Sequence, residues 1–302
     1  MSAQRDVQLA EDFLKHSIAQ CVTKHDSQLA LLCLEQGEDP HIRCVNTGRT
    51  LFHLVAMSAN PMTEVKFVPL VYVLSNAGVD LDIADFHDVT ALQLSIRYGL
   101  LEVMTSLLKC GAEVRGHEEK LAERHCQLFV AEFVSVLRKL SPGYWHLVQQ
   151  NKTFAVNVLV KSWCRINVSR QGQSLIEFAR QTPDVDPKLL KHLVDNEASI
   201  EVAHAVMAGD GQRVQFLLCN QAVDLHTSDL SHKENFFQPF HPLTLYGAAL
   251  KYGHKHLLPL LRKDAIYRPS KADDTMKASS DDRQRHQSHD SGFSTSAVCV
   301  VL

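Results

Sequence analysis

Thr90-Ala91-Leu92-Gln93-Leu94-Ser95 opens a segment that runs through Gly99 and ends at Leu107-Leu108-Lys109-Cys110-Gly111-Ala112-Glu113. Its spacing predicts two short helices joined by a turn. Thr90 can cap the first helix through its hydroxyl. Gly99 follows nine residues later, where the helices meet. Val103, Leu107 and Leu108 give the second helix one apolar stripe. The run stops at Gly111, which suits the left-handed residue that follows a helix C-terminus.

The same ending occurs twice upstream, in Leu31-Leu32-Cys33-Leu34-Glu35-Gln36-Gly37-Glu38-Asp39 and in Leu74-Ser75-Asn76-Ala77-Gly78-Val79-Asp80. Gly37, Gly78 and Gly111 are thus separated by 41 and then 33 residues. Thr50-Leu51-Phe52-His53-Leu54-Val55-Ala56 repeats the opening. Downstream, Thr244 and Gly253 are again nine apart, with Leu257 and Leu261 in step. Leu193-Val194 precede Ala198, and Leu217-Leu218 precede Ala222, as Leu107-Leu108 precede Ala112. Glu197 and Gln221 take the glycine's place in these two units. Ser174-Leu175-Ile176-Glu177-Phe178-Ala179 reads as a degraded opening.

These openings resemble the T-P-L-H-x-A start of ankyrin repeats, with Leu51 for Pro and Gln93 for His, and the 33-residue interval is the ankyrin period. The resemblance is good over 45–115 and looser over 170–267. It implies an all-α fold, an ankyrin-repeat helical solenoid with a disordered C-terminal tail. It marks Thr50, His53, Gly37, Gly78, Thr90, Gly99, Gly111, Thr244 and Gly253 as repeat-structural positions. The expected division is an N-terminal capping segment (1–20), ankyrin repeats (21–115), a divergent helical repeat or insertion (116–168), degenerate repeats (169–267) and a tail (268–302). In the third part Leu128, Val130, Phe133, Val134 and Leu137 have helical spacing. Ser141-Pro142-Gly143 breaks that helix, and Phe154 to Val160 resumes as another. Residues 225–242, with two prolines, read as a long loop. The tail is rich in Ser, Asp, Lys, Arg and His and too poor in apolar residues to offset its ordering entropy.

Hydrophobic residues are 45% of the chain and charged residues 22%, which fits a folded chain rather than a disordered or fibrous one. A net charge of −3 gives no basic field for nucleic acid. Met1-Ser2-Ala3-Gln4-Arg5-Asp6 offers no apolar signal core, and Ser2 stands where myristoylation requires a glycine. The longest apolar run, Phe67 to Leu74, falls far short of the ~20 residues of a membrane helix. The expectation is cytoplasmic. The eight cysteines include no C-x-x-C and read as reduced thiols, seven of them in the core. The glycosylation matches at Asn151 and Asn167 are then fortuitous. Among 17 histidines, His254 and His256 are spaced i, i+2 and share no helix face. No Cys/His cluster has zinc spacing, so no metal is expected. No P-loop, G-x-S-x-G or dinucleotide fingerprint is present, so no enzyme, catalytic residue or bound cofactor is expected.

Stacked repeats leave an extended concave surface, so the expected partner is a protein. Cys299-Val300-Val301-Leu302 matches C-a-a-X, with Leu favouring geranylgeranyl, a lipid added to Cys299 by a prenyltransferase. The same residues fit a PDZ ligand through Val300 and Leu302. Lys271, Lys277, Arg283 and Arg285 are interspersed with Asp273, Asp274, Asp281, Asp282 and Asp290, so the second anchoring signal is weak. Weak, peripheral membrane association follows. Asp290-Ser291-Gly292-Phe293-Ser294-Thr295 resembles a phosphodegron read by an F-box ubiquitin ligase, with Ser291 and Thr295 as the phosphorylated positions. Three functions fit. The first is a non-enzymatic adaptor or scaffold recruited to cytosolic membrane faces. The second is a soluble ankyrin inhibitor controlled by ubiquitylation. The third is a host-prenylated bacterial effector.

Overall fold

A computed structural model describes residues 14–125, 144–153, most of 156–174, 175–220 and 244–261. The chain divides into two units, Met1–Arg268 and Pro269–Leu302, and every described residue belongs to the first. The expected tail, the helix over Leu128 to Leu137 with its Ser141-Pro142-Gly143 break, and the 225–242 loop lie outside the described residues.

The described residues are predominantly helical. The strands β1 (Ser169–Arg170) and β2 (Gln173–Ser174) form a small antiparallel hairpin with Ser169 opposite Ser174. The first helices are α1 (Ser17–Thr23), α2 (Ser27–Glu35), α3 (Leu51–Ser58), α4 (Val68–Asn76), α5 (Ala91–Arg97), α6 (Leu101–Lys109) and α7 (Glu118–His125). They pack in two rows: α1, α3, α5 and α7 touch in succession, as do α2, α4 and α6. The boundary expected between residues 20 and 21 therefore falls inside a helix, because Ile18, Cys21 and Val22 already form a buried face.

Gly37, Gly78, Gly99, Gly111 and Gly253 all have positive φ, as helix-terminating positions require. The 41-residue interval exceeds 33 chiefly because Ala59–Phe67, with a 3₁₀ turn at Glu64–Lys66, separates α3 from α4. Glu64 in this turn accepts from the backbone N–H groups of Glu102 (2.8 Å) and Val103 (3.3 Å) at the start of α6. Burial pushes its carboxyl up to about 7, against the pull of the Val103 and Glu102 amides.

The second half comprises α8 (Tyr144–Gln149), α9 (Leu175–Gln181), α10 (Pro187–Ala208), α11 (Gly211–Asn220) and α12 (Leu245–Lys251). Val156, Leu159 and Val160 are helical and buried. Here one expectation is corrected. Leu193-Val194 do not end a helix before Ala198, because α10 runs unbroken to Ala208. Asp186 caps it, Pro187 occupies its first turn, and no Gly or Pro interrupts it before Gly209, φ +80°. Leu189, Leu193, Ile200, Ala203 and Met207 maintain a buried face along its length.

The α10 helix packs against α4. Val68 to Ser75 are all buried, because α2, α3, α6 and α10 surround them. The Val-Pro-Leu-Val-Tyr-Val-Leu run is apolar all round for that reason. Among the described residues no helix is long and apolar enough to cross a membrane.

Candidate protein-binding surface

The helices α3, α5 and α9 open with the same polar device. In the Thr50 unit, His53 Nδ1 accepts from the Thr50 N–H (3.1 Å) and faces its hydroxyl (2.9 Å). That role leaves the proton on Nε2, which donates to the carbonyl of Val89 at 2.8 Å. One imidazole thus caps its own helix and ties it to the next unit. Burial lowers its pKa, opposed by the Val89 bond, and keeps it neutral. Gln93 does the same work with an amide. Its Oε1 accepts from the Thr90 N–H (3.3 Å) and its Nε2 donates to Glu118 (3.2 Å), while the Gln93 N–H donates to the Thr90 hydroxyl. Ser174 and Glu177 complete a third capping box. At Thr244 the third helical position is Gly247, so only the donation from the Gly247 N–H to Thr244 Oγ1 (3.0 Å) persists.

Before α3 and before α5 the chain forms hairpin-like loops, or fingers. Arg43 pairs with Thr50 in the first and Ala84 with Thr90 in the second. Asp39 and Asp80, the acids that follow the helix-ending glycines, fold their own turns by accepting from the N–H groups of His41 (2.8 Å) and Asp82 (2.9 Å). Neighbouring fingers are stitched together. The Phe86 N–H donates to Thr47 O (2.9 Å), Arg43 donates to Ala84 O (2.9 Å), and Arg115 donates to Asp82 O (2.9 Å). Arg49 pairs with buried Asp85 at 3.3 Å. Burial raises the Asp85 carboxyl, but the amides of His87 and Val89 and the Arg49 guanidinium outweigh it and hold the pKa below the usual range.

Two large apolar side chains stand exposed on these stitched fingers, Val45 at 76% and Phe86 at 66%. The Phe86 ring lies over Gly48, where a Cβ would meet it at 2.5 Å. Exposed His41, Arg43, His87 and Asp88 flank the pair. Exposed apolar and charged side chains on hydrogen-bonded loops suit contact with another protein.

The helices are also joined at a junction that sequence spacing does not reveal. Arg165 donates to Ser75 O (3.1 Å) and to the Asn76 side chain, and its N–H donates to Lys109 O at 2.6 Å. It thereby serves the C-terminal ends of both α4 and α6. His204 donates to Trp163 O at 2.7 Å and meets the Tyr72 ring edge-on at 5.0 Å. Burial, with the Arg165 charge second, lowers the His204 pKa to about 3. A crevice of about 150 Å³ lies here, lined by Arg165, Arg213, Glu197 and Glu201 among others. Gly209 O accepts from Gln28 (3.1 Å) and His256 (3.0 Å), and His254 donates to Met207 O (3.1 Å). Lys251 pairs with Glu102 at 2.7 Å.

Of the singled-out residues, Thr50, His53, Thr90 and Thr244 cap helices and the five glycines turn the chain. Cys299, Ser291 and Thr295 lie outside the described residues. The residues missed were Gly48, Asp85, Phe86, Arg165 and Gly209. Gly48 was findable, since left-handed Gly48 and Asp88 each stand two before the capping threonine. One cysteine expectation fails: Cys219 is exposed, because it lies on the outer side of α11 beside exposed Phe216. Among the described residues no group of three or more His, Cys, Asp or Glu is placed to share a metal ion. No protein-family model matches the chain, and no curated protein matches it in sequence.

Proposed function

We propose that the chain is a non-enzymatic binding protein, an ankyrin-type repeat array whose fingers engage a protein partner. The observation that carries this is the exposure of Val45 and Phe86 on neighbouring fingers that are hydrogen-bonded to each other. The recurrence of the capping device at Thr50, Thr90 and Ser174 supports the repeat architecture. Function is a property of the site rather than the fold, so the test is directed at the patch. Val45→Asp should abolish capture of the partner recovered with wild-type protein and leave thermal stability unchanged. Phe216→Ser, on α11, should leave capture intact. Equal capture by all three proteins would refute the finger surface.

The C-terminal motif extends the proposal to regulated membrane recruitment. Geranylgeranylation of Cys299 supplies one lipid chain, which gives marginal, reversible binding without a second signal. Cys299→Ser should shift the protein from the membrane to the soluble fraction; unchanged fractionation counts against the lipid. The Asp290–Thr295 motif favours a second reading, an inhibitor whose abundance is set by phosphorylation and ubiquitylation. Ser291→Ala should then lengthen the half-life, and an unaltered half-life where the ligase is active rejects it.

A further inference from the structure

The sulfurs of Cys21 on α1 and Cys33 on α2 lie 3.8 Å apart, and both side chains are buried. The two helices form one hairpin, turned at Asp26, whose side chain accepts from the Leu29 N–H. Ile18, Val22 and Ala30 of the same hairpin are fully buried, and Cys21 and Cys33 are themselves only 1% and 5% exposed. The other described cysteines sit elsewhere: Cys44 in the first finger, Cys110 after α6, Cys164 beside Arg165 and Cys219 on α11.

We propose that Cys21 and Cys33 are a modification site, which a hydroperoxide converts into an intrachain disulfide tying α1 to α2. A disulfide needs about 2.05 Å between sulfurs, so each must move by about 0.9 Å, within the range of a side-chain adjustment. The chemistry balances with hydrogen peroxide as the oxidant. The first sulfur attacks one peroxide oxygen, the O–O bond breaks, one water leaves and a sulfenic acid forms. The second sulfur attacks the first, the S–S bond forms, the S–O bond breaks and a second water departs. Two thiols and one peroxide become one disulfide and two waters. The thiolate is the attacking species. Burial, with the Cys33 contact next, pushes the Cys21 thiol up to about 12. Reaction is therefore slow, but the sulfenic acid meets its partner thiol before it meets water.

The site can be mapped on the intact chain. Cleavage after Lys15, Lys24 and Arg43 places Cys21 in 16–24, Cys33 in 25–43 and Cys44 in a third peptide. Reduced protein is treated with a few equivalents of hydrogen peroxide, blocked with N-ethylmaleimide in denaturant, digested and analysed without reduction. The expected product joins 16–24 to 25–43 and is two hydrogens lighter than their sum. Cys44→Ser should leave it unchanged, and Cys33→Ser should abolish it. Cys21 joined to any other cysteine would overturn the proposal. So would full alkylation of Cys21 and Cys33 after prolonged treatment of the folded protein with excess peroxide. If Cys33→Ser fails to fold, the wild-type peptide map decides alone.

Discussion

At the scale of single residues, the third helical position after Thr50 and after Thr90 is chemically flexible but functionally narrow. It needs an acceptor for its own helix and a donor for the next unit. Imidazole and carboxamide both provide these, as His53 and Gln93 demonstrate. His53→Gln should therefore cost less than about 1 kcal/mol in urea unfolding. His53→Leu strands two buried backbone groups and should cost about 2–4 kcal/mol. Glycines divide by surroundings. Gly78 has φ +81° with open space beside it, so Gly78→Ala should cost only the left-handed penalty of about 1–2 kcal/mol. A Cβ on Gly209 would meet Gln28 Nε2 and the His254 ring at 2.6 Å, so Gly209→Ala should cost clearly more in the same assay. The difference was not legible in the sequence. Gly78 announces its role by its spacing, whereas Gly209 follows a 22-residue helix with no capping threonine to mark its register.

At the scale of elements, α4 was legible and α10 was not. The helix ending before Gly78 is marked by its spacing, and the unbroken apolar character of Val68 to Leu74 fits its enclosure on all sides. What encloses it is decided by Arg165, His204 and Tyr72, which are far apart in sequence and follow no period. Likewise the exposed patch rests on Phe86, whose position on a finger depends on Gly48 in the preceding one. Arg165→Leu removes the donor that serves the ends of α4 and α6. Amide exchange should accelerate at the C-terminal turns of both helices, while α3 and α5 stay protected. Uniform acceleration across all helices would instead mean global destabilisation.

For the molecule as a whole, stability depends on buried groups held neutral. Burial is the leading cause that lowers the pKa of His53, His204 and His254, so protonation favours the unfolded chain. Their contribution is complete above about 6.5 and is lost as pH falls, for His204 down to about 3. Glu64 has the opposite sign. Its raised folded pKa means stability is complete below about 4.5 and is lost as pH rises through about 7. Glu64→Gln should thus gain on wild type between these values, by about 1–3 kcal/mol at pH 8, with the gain vanishing below pH 4.5. Urea midpoints measured from about pH 4 to 8 check both arms, and a gain independent of pH would contradict the assignment.

The seating of α10 on α4 also has a consequence for biosynthesis. The covering helix, Pro187–Ala208, begins more than a hundred residues after Val68–Asn76. At about 5–20 residues per second, roughly 6–24 seconds separate their synthesis on the ribosome. Throughout that interval the α4 face that meets His204 lacks α10, its cover in the finished chain. During translation, then, the α4 face that α10 covers stays unpaired until the segment ending at Gly209 has been made.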